Sequence, residues 1–562
     1  MNRKARRLGR VLGPLRATAL GRAMSVAVEQ RRAARSWRRG IAEIASYHEA
    51  RRGREPGEAL SDRVWSDLEL QSVYERIDRC GSPLGQQVLY DMLRRPLYDA
   101  SAILRRGAAI SALRARPELR DRIRAALHPL AHPVSYDLHH LTASELPGRP
   151  RWYFLLPLLG LAAPGALLAM SFAPLAGLLM LIGVAGINIG IQIYYRPRVQ
   201  HLIRAIAALP GLVRAARTLS GVQAPELDEI LGPLGGRVDA LRWVRWLFVY
   251  IRLEFEDDPL VGSIIGYLNL LLLADVNAFV FSIDAIARRR RELDEIVRAV
   301  GLLDALCAVA EFRDSLPHCC APEFDGPAKT LLGEAIYHPS LDDPVPNDLR
   351  MEGASWLITG SNMAGKTTFL RAAGACAVLA QTIATCPARR WRAPILRVHT
   401  FIGRRDDLLR GKSYFYVEAE QLREMLIRSA EDAASLFVID ELYRGTNTGE
   451  RVAASRAVLE ALNAGDHLCL VATHDLELVD LLRGPWAFRH FQETIADGEI
   501  HFDYRLRPGA ATAGNALKLL EVFDYPAEVL SNARSAFDEL LRRSGAVVDA
   551  GAEQRTEKSP AS

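Results

Sequence analysis

Leu357-Ile358-Thr359-Gly360-Ser361-Asn362-Met363-Ala364-Gly365-Lys366-Thr367-Thr368 is the stretch whose reading decides the fold. An apolar, strand-like run enters a Gly-x-x-x-x-Gly-Lys-Thr loop, and Phe369-Leu370-Arg371-Ala372-Ala373 continues it as a helix. Two glycines let the backbone curl so that successive N–H groups point at phosphate oxygens, and the helix N-terminus adds partial positive charge. Gly360, Ser361, Asn362, Met363, Ala364, Gly365, Lys366, Thr367 and Thr368 are the expected nucleotide-binding residues. Lys366 is expected to reach the β/γ-phosphates and Thr367 to ligate Mg²⁺.

Downstream, Ser435-Leu436-Phe437-Val438-Ile439-Asp440-Glu441 reads as a buried strand with two carboxylates at its C-terminal end. Open α/β sheets place their ligands there. Asp440 suits Mg²⁺ through its water shell, and Glu441 suits polarisation of the attacking water. An apolar run ending in Asp-Glu says little alone. It gains force by following Lys366 within an alternating strand–helix pattern. Leu470-Val471-Ala472-Thr473-His474-Asp475 is another strand ending in polar residues, with His474 a candidate γ-phosphate sensor. Strand-like runs at Trp356–Thr359, Val398–Ile402, Leu436–Ile439 and Leu468–Ala472, with helices between, predict an α/β domain with a mainly parallel sheet.

These segments together resemble the ATPase domain of the MutS family. Residues 359–368 resemble its T-G-P-N-M-G-G-K-S-T, and Asp440-Glu441-Leu442-Tyr443-Arg444-Gly445-Thr446-Asn447-Thr448 resembles D-E-[IL]-G-R-G-T-S-T. Ser413-Tyr414-Phe415-Tyr416-Val417-Glu418 resembles S-T-F-M-x-E, and Thr473-His474-Asp475-Leu476-Glu477-Leu478 resembles T-H-Y-x-E-L. Val345-Pro346-Asn347-Asp348 matches V-P-N-D, which in the family lies near the adenine, so Asn347 joins the nucleotide-binding set. More weakly, Ile77-Asp78-Arg79-Cys80-Gly81-Ser82-Pro83-Leu84-Gly85 looks like the L-D-R-T-x-T-x-x-G of the family's helical core.

The resemblance implies ATP and Mg²⁺ as ligands and a head-to-tail homodimer in which Ser413 of one chain completes the site of the other. It implies Glu441, His474, Lys366 and Ser413 as catalytic, Thr367 and Asp440 as metal-binding, and the helix Pro526 to Leu541 as a dimer contact. It also implies binding of mismatched or branched DNA. Three positions depart from the family pattern: Tyr443 stands for a usual Gly, Glu450 for a common Asp, and Ala364 for a loop Gly. The mismatch-reading and connector domains are expected to be missing, since only a short basic arm precedes residue 65.

Elsewhere the chain is helical in pattern. At 562 residues it is long enough for three or four domains, and 49% hydrophobic with 24% charged content excludes a wholly disordered chain. Net charge is +5, but residues 1–40 hold twelve Arg or Lys against the single acid Glu29. That arm suits nucleic acid or an anionic membrane surface, or is a solvated helix. Seven scattered cysteines show no metal-ligand spacing, consistent with a reducing cytosolic setting. Leu68, Leu70, Val73, Tyr74 and Ile77, then Val88, Leu89, Met92, Leu93 and Leu97, recur at helical spacing.

Trp152 to Tyr195 runs 44 residues without Asp, Glu, Lys, Arg or His. A bilayer span needs about 20 apolar residues, so the run suits two spans, Trp152 to Met170 and Leu175 to Tyr195, around a turn at Ser171–Pro174. Aromatic residues at both ends and Arg149, Arg151, Arg196 and Arg198 beside them place both ends on the cytoplasmic side. The alternative is a helical hairpin buried in a cytoplasmic protein. A second apolar run, Leu260 to Ile283, holds Asp275 and is expected to be buried in protein, because a charge at bilayer depth is costly.

The expected organisation is a basic arm (1–60), helical core (61–145), transmembrane hairpin (146–200), helical lever (201–321), P-loop ATPase domain (322–544) and disordered tail (545–562). The expected function is a membrane-tethered, DNA-binding ATPase dimer. The alternative is a membrane ATPase that couples dimer closure to the hairpin without meeting DNA.

Overall fold

The computed structural model describes residues 40–54, 59–241, 243–244, 268, 271–361, 363–402, 414–431, 434–443, 446–496, 499–511, 520, 523, 525–537 and 539. Most of the basic arm, the tail from 545, Asn362, Ser413, Arg444, Gly445 and residues 260–267 lie outside the described residues. The chain divides into a helical unit (1–60, 72–97, 101–316) and a mixed unit (61–71, 98–100, 317–562).

In the helical unit, α1 (Pro83–Arg94) begins where the sequence supplies a cap. Ser82 accepts from the Gly85 N–H at 3.1 Å, and Pro83 occupies the first turn, where no N–H is needed. The apolar hairpin forms α2 (Leu155–Ala169) and the start of α3 (Pro174–Leu219). The sequence boundary drawn at residue 200 falls inside α3, a single helix of 46 residues. Its first part, Pro174–Tyr195, is the one described helix long and apolar enough to cross a membrane, with mean hydropathy 2.0 and only 17% of its residues buried. After α4 (Ala274–Arg288) the chain breaks at Arg289 and resumes as α5 (Arg290–Ser315). On α5 Leu293, Ile296, Val297, Val300, Leu303 and Leu306 are all buried, as their spacing predicts.

One buried carboxylate clasps α5 to the start of α1. Asp304 accepts from the Gly81 N–H (2.9 Å), the Ser82 N–H (2.9 Å) and the Ser82 hydroxyl (2.6 Å). Gly85 is needed beside it, because a Cβ there would lie 2.7 Å from the Asp304 Cβ and closer still to its carboxylate. Burial nonetheless pushes this carboxyl up to about 6, against the pull of those hydrogen bonds.

Three imidazoles pack where α3 meets the helical core: His139 against His140 (ring centroids 4.0 Å) and His140 against His201 (4.8 Å). Burial lowers His139 to about 4; the Tyr136 carbonyl pulls it up and His201 pushes it further down. Because its pKa is depressed in the fold, His139 contributes stability that is present above about pH 6.5 and lost as the pH falls through about 4. Asp137, lifted to about 6 chiefly by burial, works in the opposite sense, so a comparison of variants is needed. The expected result is that the gap in Tm between the wild type and His139→Gln narrows from pH 7 to pH 4.5, read by scanning calorimetry. A pH-independent gap would refute a neutral, buried His139.

The mixed unit holds two sheets. β1 (Thr330–Ile336) pairs antiparallel with β2 (Asn347–Glu352) and with β4 (Arg390–Arg392). The larger sheet contains β3 (Ser355–Thr359), β5 (Arg397–Phe401), β6 (Ser435–Asp440), β7 (Leu468–Ala472), β8 (Trp486–Ala496) and β9 (Glu499–Pro508), in the order β5-β6-β7-β3-β8-β9. All its pairings are parallel except β8 with β9. The helices α6 (Lys366–Ile383), α7 (Tyr414–Glu431) and α8 (Thr448–Leu462) connect the parallel strands. Leu436, Phe437, Val438 and Ile439 of β6 are wholly buried, which is why that strand reads as an unbroken apolar run.

The short helix Asp62–Asp67 packs on β5 at the sheet edge, where the Asp67 carboxylate accepts from the Thr400 hydroxyl (2.8 Å) and the Ile402 N–H (3.0 Å). Covering an edge strand this way removes a template for unwanted pairing.

Candidate functional site

The C-terminal ends of β3, β6 and β7 lie side by side and deliver three polar groups to one place. From β3 the chain turns through Gly360, at φ +130°, where a Cβ would meet the Phe491 carbonyl oxygen at 2.5 Å. It then enters α6 through Gly365 at φ +107°. Both positions therefore require glycine. Ala364, which replaces a third loop glycine of the resembling motif, keeps a negative φ and is buried, so its methyl costs no strain.

Lys366 is 2% exposed, and its ammonium donates to the Gly360 carbonyl (2.5 Å) and the Ser361 carbonyl (2.8 Å). Nearly buried at the start of a helix, it concentrates positive charge where the loop's amides converge. The Thr367 hydroxyl donates to Asp440 Oδ2 at 2.6 Å, bringing the first turn of α6 onto the end of β6. A hydroxyl and a carboxylate form an all-oxygen pair that suits a hard divalent cation. Among the described residues no group of three or more His, Cys, Asp or Glu could hold a metal by itself. Mg²⁺ binds through one or two protein oxygens together with phosphates, so the pair fits it.

Glu441 follows Asp440 with φ +59°, a left-handed conformation costing about 1–3 kcal/mol for a residue other than glycine. The turn is held by the Glu441 N–H donating to the Ala472 carbonyl (2.9 Å) and by the buried Leu442 and Tyr443. Tyr443 is itself at φ +55°, which accounts for glycine at this place in the resembling motif; here the buried ring offsets the strain.

His474 Nε2 stands 2.8 Å from Glu441 Oε1 and 3.4 Å from Lys366 Nζ. With a proton that nitrogen serves the carboxylate, and without one it accepts from the ammonium. It cannot do both at once.

Other residues of the site gave no local sign in the sequence. Arg451, in the first turn of α8, grips Asp475 with three N–H···O contacts of 2.5–3.2 Å and so fixes the segment that carries His474. The Ser361 hydroxyl donates to the buried Glu493 at 3.0 Å, tying the loop to β8. A cavity of about 320 Å³ adjoins the loop, lined by His338, Val345, Asn347, Thr368, Phe491 and Tyr504 among others. Asn347 shapes its wall, donating to the Tyr504 carbonyl (2.9 Å) and accepting from the Leu506 N–H (2.7 Å). Flat apolar and aromatic walls beside a phosphate-type cradle suit a nucleoside base.

The structure thus brings together Gly360, Ser361, Lys366, Thr367, Asp440, Glu441 and His474, with Asn347 and Thr368 at the adjoining cavity. Met363 is 73% exposed. Ser413 and Asn362 lie outside the described residues, so their side chains are not placed.

Residues 356–541 match the family described as MutS domain V. The chain is 35% identical over 269 residues to the DNA mismatch repair protein MutS of Natronomonas pharaonis, a match covering 46% of this chain and 30% of the relative. It is 33% identical over 291 residues to the DNA mismatch repair protein MutS of Thermus aquaticus, covering 48% and 35%. The MutS of Staphylococcus haemolyticus matches at 29% over 303 residues, covering 52% and 33%. The chain therefore spans about a third of the length of the curated relatives it matches.

Proposed function

We propose that this chain, whose residues 356–541 belong to the MutS domain V family, binds ATP on the loop 360–368 and hydrolyses it. The observation that carries this reading is the convergence of Lys366, Thr367, Asp440, Glu441 and His474 at the ends of three adjacent parallel strands. In this reading the fold of residues 322–544 is a P-loop NTPase domain. Lys366 and the loop amides bind the phosphates, and the cavity beside Phe491 and Tyr504 takes the adenine. Glu441 takes a proton from the attacking water. His474, held by the Arg451–Asp475 pair, orients Glu441 and meets the γ-phosphate side of the site. Thr367 and Asp440 would hold Mg²⁺, which would supply neutralisation of phosphate charge.

The family supports a homodimer in which Ser413 of the partner subunit completes the site, so that hydrolysis follows dimer closure. It also supports DNA as the ligand that closure acts on. The apolar hairpin, with Leu161 68% and Ile193 72% exposed, supports a tether that holds the chain at the cytoplasmic face of a membrane.

That same hairpin favours a second reading, in which closure works on the membrane segment and DNA plays no part. A gel-shift series with full-length, detergent-solubilised protein separates the two. The first reading expects mismatched duplex to be retarded at low salt, in a nucleotide-dependent way, with affinity falling steeply as salt rises. No retardation at low salt, with or without ATP, removes DNA from the function and leaves the second reading.

A further inference from the structure

The hairpin is not alone: a third segment of the helical unit follows it down. Residues 271–277 meet the hairpin at four points, all within its charge-free stretch. The Asn188 amide donates to the Leu271 carbonyl at 2.6 Å, and the Gln192 amide donates to Asp275 Oδ1 at 2.9 Å. The Asn277 amide donates to the Leu156 carbonyl at 3.3 Å. Gly160 of α2 lies against the Leu272 carbonyl so closely that no Cβ would fit between them.

The arrangement is polar inside and apolar outside. Asn188, Gln192 and Asp275 are at most 6% exposed, whereas Leu158, Leu168, Leu175 and Ile182 are each at least 60% exposed. A water-soluble helical bundle has the reverse distribution, and a membrane-embedded one has this.

A collar of basic and aromatic side chains sets the depth. Trp152 packs edge-on against Tyr195 (ring centroids 6.1 Å), and Arg198 lies 4.0 Å from the Tyr194 ring centroid. Such a collar marks a membrane–water boundary. Helix α4 crosses it at one place. There Arg149 donates to the Val280 carbonyl at 2.8 Å and pairs with Asp284 at 3.1 Å, while Phe281 packs on Tyr153 at 6.3 Å. Asp275 lies five residues before Val280, about 7 Å along a helix, on the apolar side of the collar. Arg288 to Arg291 lie beyond it on the other side.

The geometry points to residues 271–279 being embedded in the cytoplasmic leaflet of a lipid bilayer beside the hairpin, with Asn188 and Gln192 on α3 donating to the Leu271 carbonyl and to Asp275 Oδ1. The sequence reading placed Asp275 in a helix buried within protein because an ionised group at bilayer depth is costly. The Gln192 amide and the tight contact at Gly160 lower that cost, since the Asp275 side chain is turned into protein, with Oδ1 accepting from the amide, while Phe281 of α4 and Leu272 just before it are exposed. Helix α5, which holds the clasp at Asp304, then continues from a segment anchored in the membrane.

This inference rests on the membrane reading of the hairpin, and one experiment distinguishes the two. Full-length protein with Cys80, Cys319 and Cys320 changed to serine is spin-labelled singly at Leu161→Cys, Leu272→Cys or Arg291→Cys. It is reconstituted in vesicles of phosphatidylethanolamine and phosphatidylglycerol. Collision of each label with oxygen, which concentrates in lipid, is compared with collision with a water-soluble nickel chelate. The expected result is oxygen exceeding nickel several-fold at Leu161 and Leu272, and the reverse at Arg291. A label at Leu272 that favours nickel, or meets neither agent, while Leu161 favours oxygen overturns the third segment and leaves the hairpin. Nickel-dominated collision at Leu161 overturns the membrane reading itself.

Discussion

Replacing Glu441 with glutamine is expected to lower ATP turnover by about 10²–10⁴ while nucleotide affinity stays within about threefold of the wild type. The substitution keeps the side chain's size and its reach to His474 Nε2, now 2.8 Å from Oε1, but removes the basic oxygen. It leaves the phosphate-binding groups alone. Lys366 stays on the Gly360 and Ser361 carbonyls, and Thr367 stays on Asp440. The backbone at residue 441 is strained, but the bond from its N–H to the Ala472 carbonyl is indifferent to the side chain, so glutamine inherits the same conformation. Binding is measured by titration with a fluorescent ATP analogue, and chemistry by phosphate release in a single turnover with Mg²⁺. Turnover within a factor of two of wild type would remove Glu441 from the role of general base.

The parts of this site that were legible in the sequence share one physical property: each sits at the end of a strand buried on both faces. Such strands are continuous apolar runs, and the first polar residue after the run is conspicuous. Asp440 directly after Leu436–Ile439, and Thr473-His474 after Leu468–Ala472, stand out in that way. Gly360 and Gly365 were legible for a related reason, since each serves a backbone geometry that other residues resist.

What could not be read has equally definite causes. β8 and β9 carry Arg489, His490, Glu493, Arg505 and Arg507 among their apolar residues. Their alternation is also interrupted by a register shift between Phe491 and Glu493 and by Tyr504 at φ +53°. A strand pattern that slips by one residue loses its period of two. The cavity beside the loop draws His338, Phe491 and Tyr504 from three separate segments, so no window of sequence contains it. Likewise, β1 and β2 fall in or beside a stretch rich in Pro, Gly and Asp, yet they pair antiparallel, with a register shift between Gly333 and Ile336.

The clasp at Asp304 leads to the second large effect, in stability. Two opposing terms decide the sign. Burial lifts this carboxyl from 3.8 to about 6, so keeping it ionised at neutral pH costs about 3 kcal/mol. Against that, removing it strands the buried Ser82 N–H and Ser82 hydroxyl, at about 1–3 kcal/mol for each, while the exposed Gly81 N–H turns to water. Together with the space left by the deleted carboxyl, the second term is larger, and Asp304→Ala is expected to destabilise the helical unit by about 1–3 kcal/mol. Because the folded pKa is raised, the carboxyl contributes stability that is present at low pH and lost as the pH rises through about 6. The gap between wild type and Asp304→Ala should therefore be wider at pH 5 than at pH 7.5. Gly85→Ala attacks the same clasp from the other side, by driving a methyl into the space the Asp304 side chain fills. Since both substitutions break one set of bonds, the double variant should lose much less than the sum of the singles. Denaturant unfolding of the four proteins in the cycle reads this directly, and additive losses would show that Asp304 and Gly85 do not act through a shared clasp.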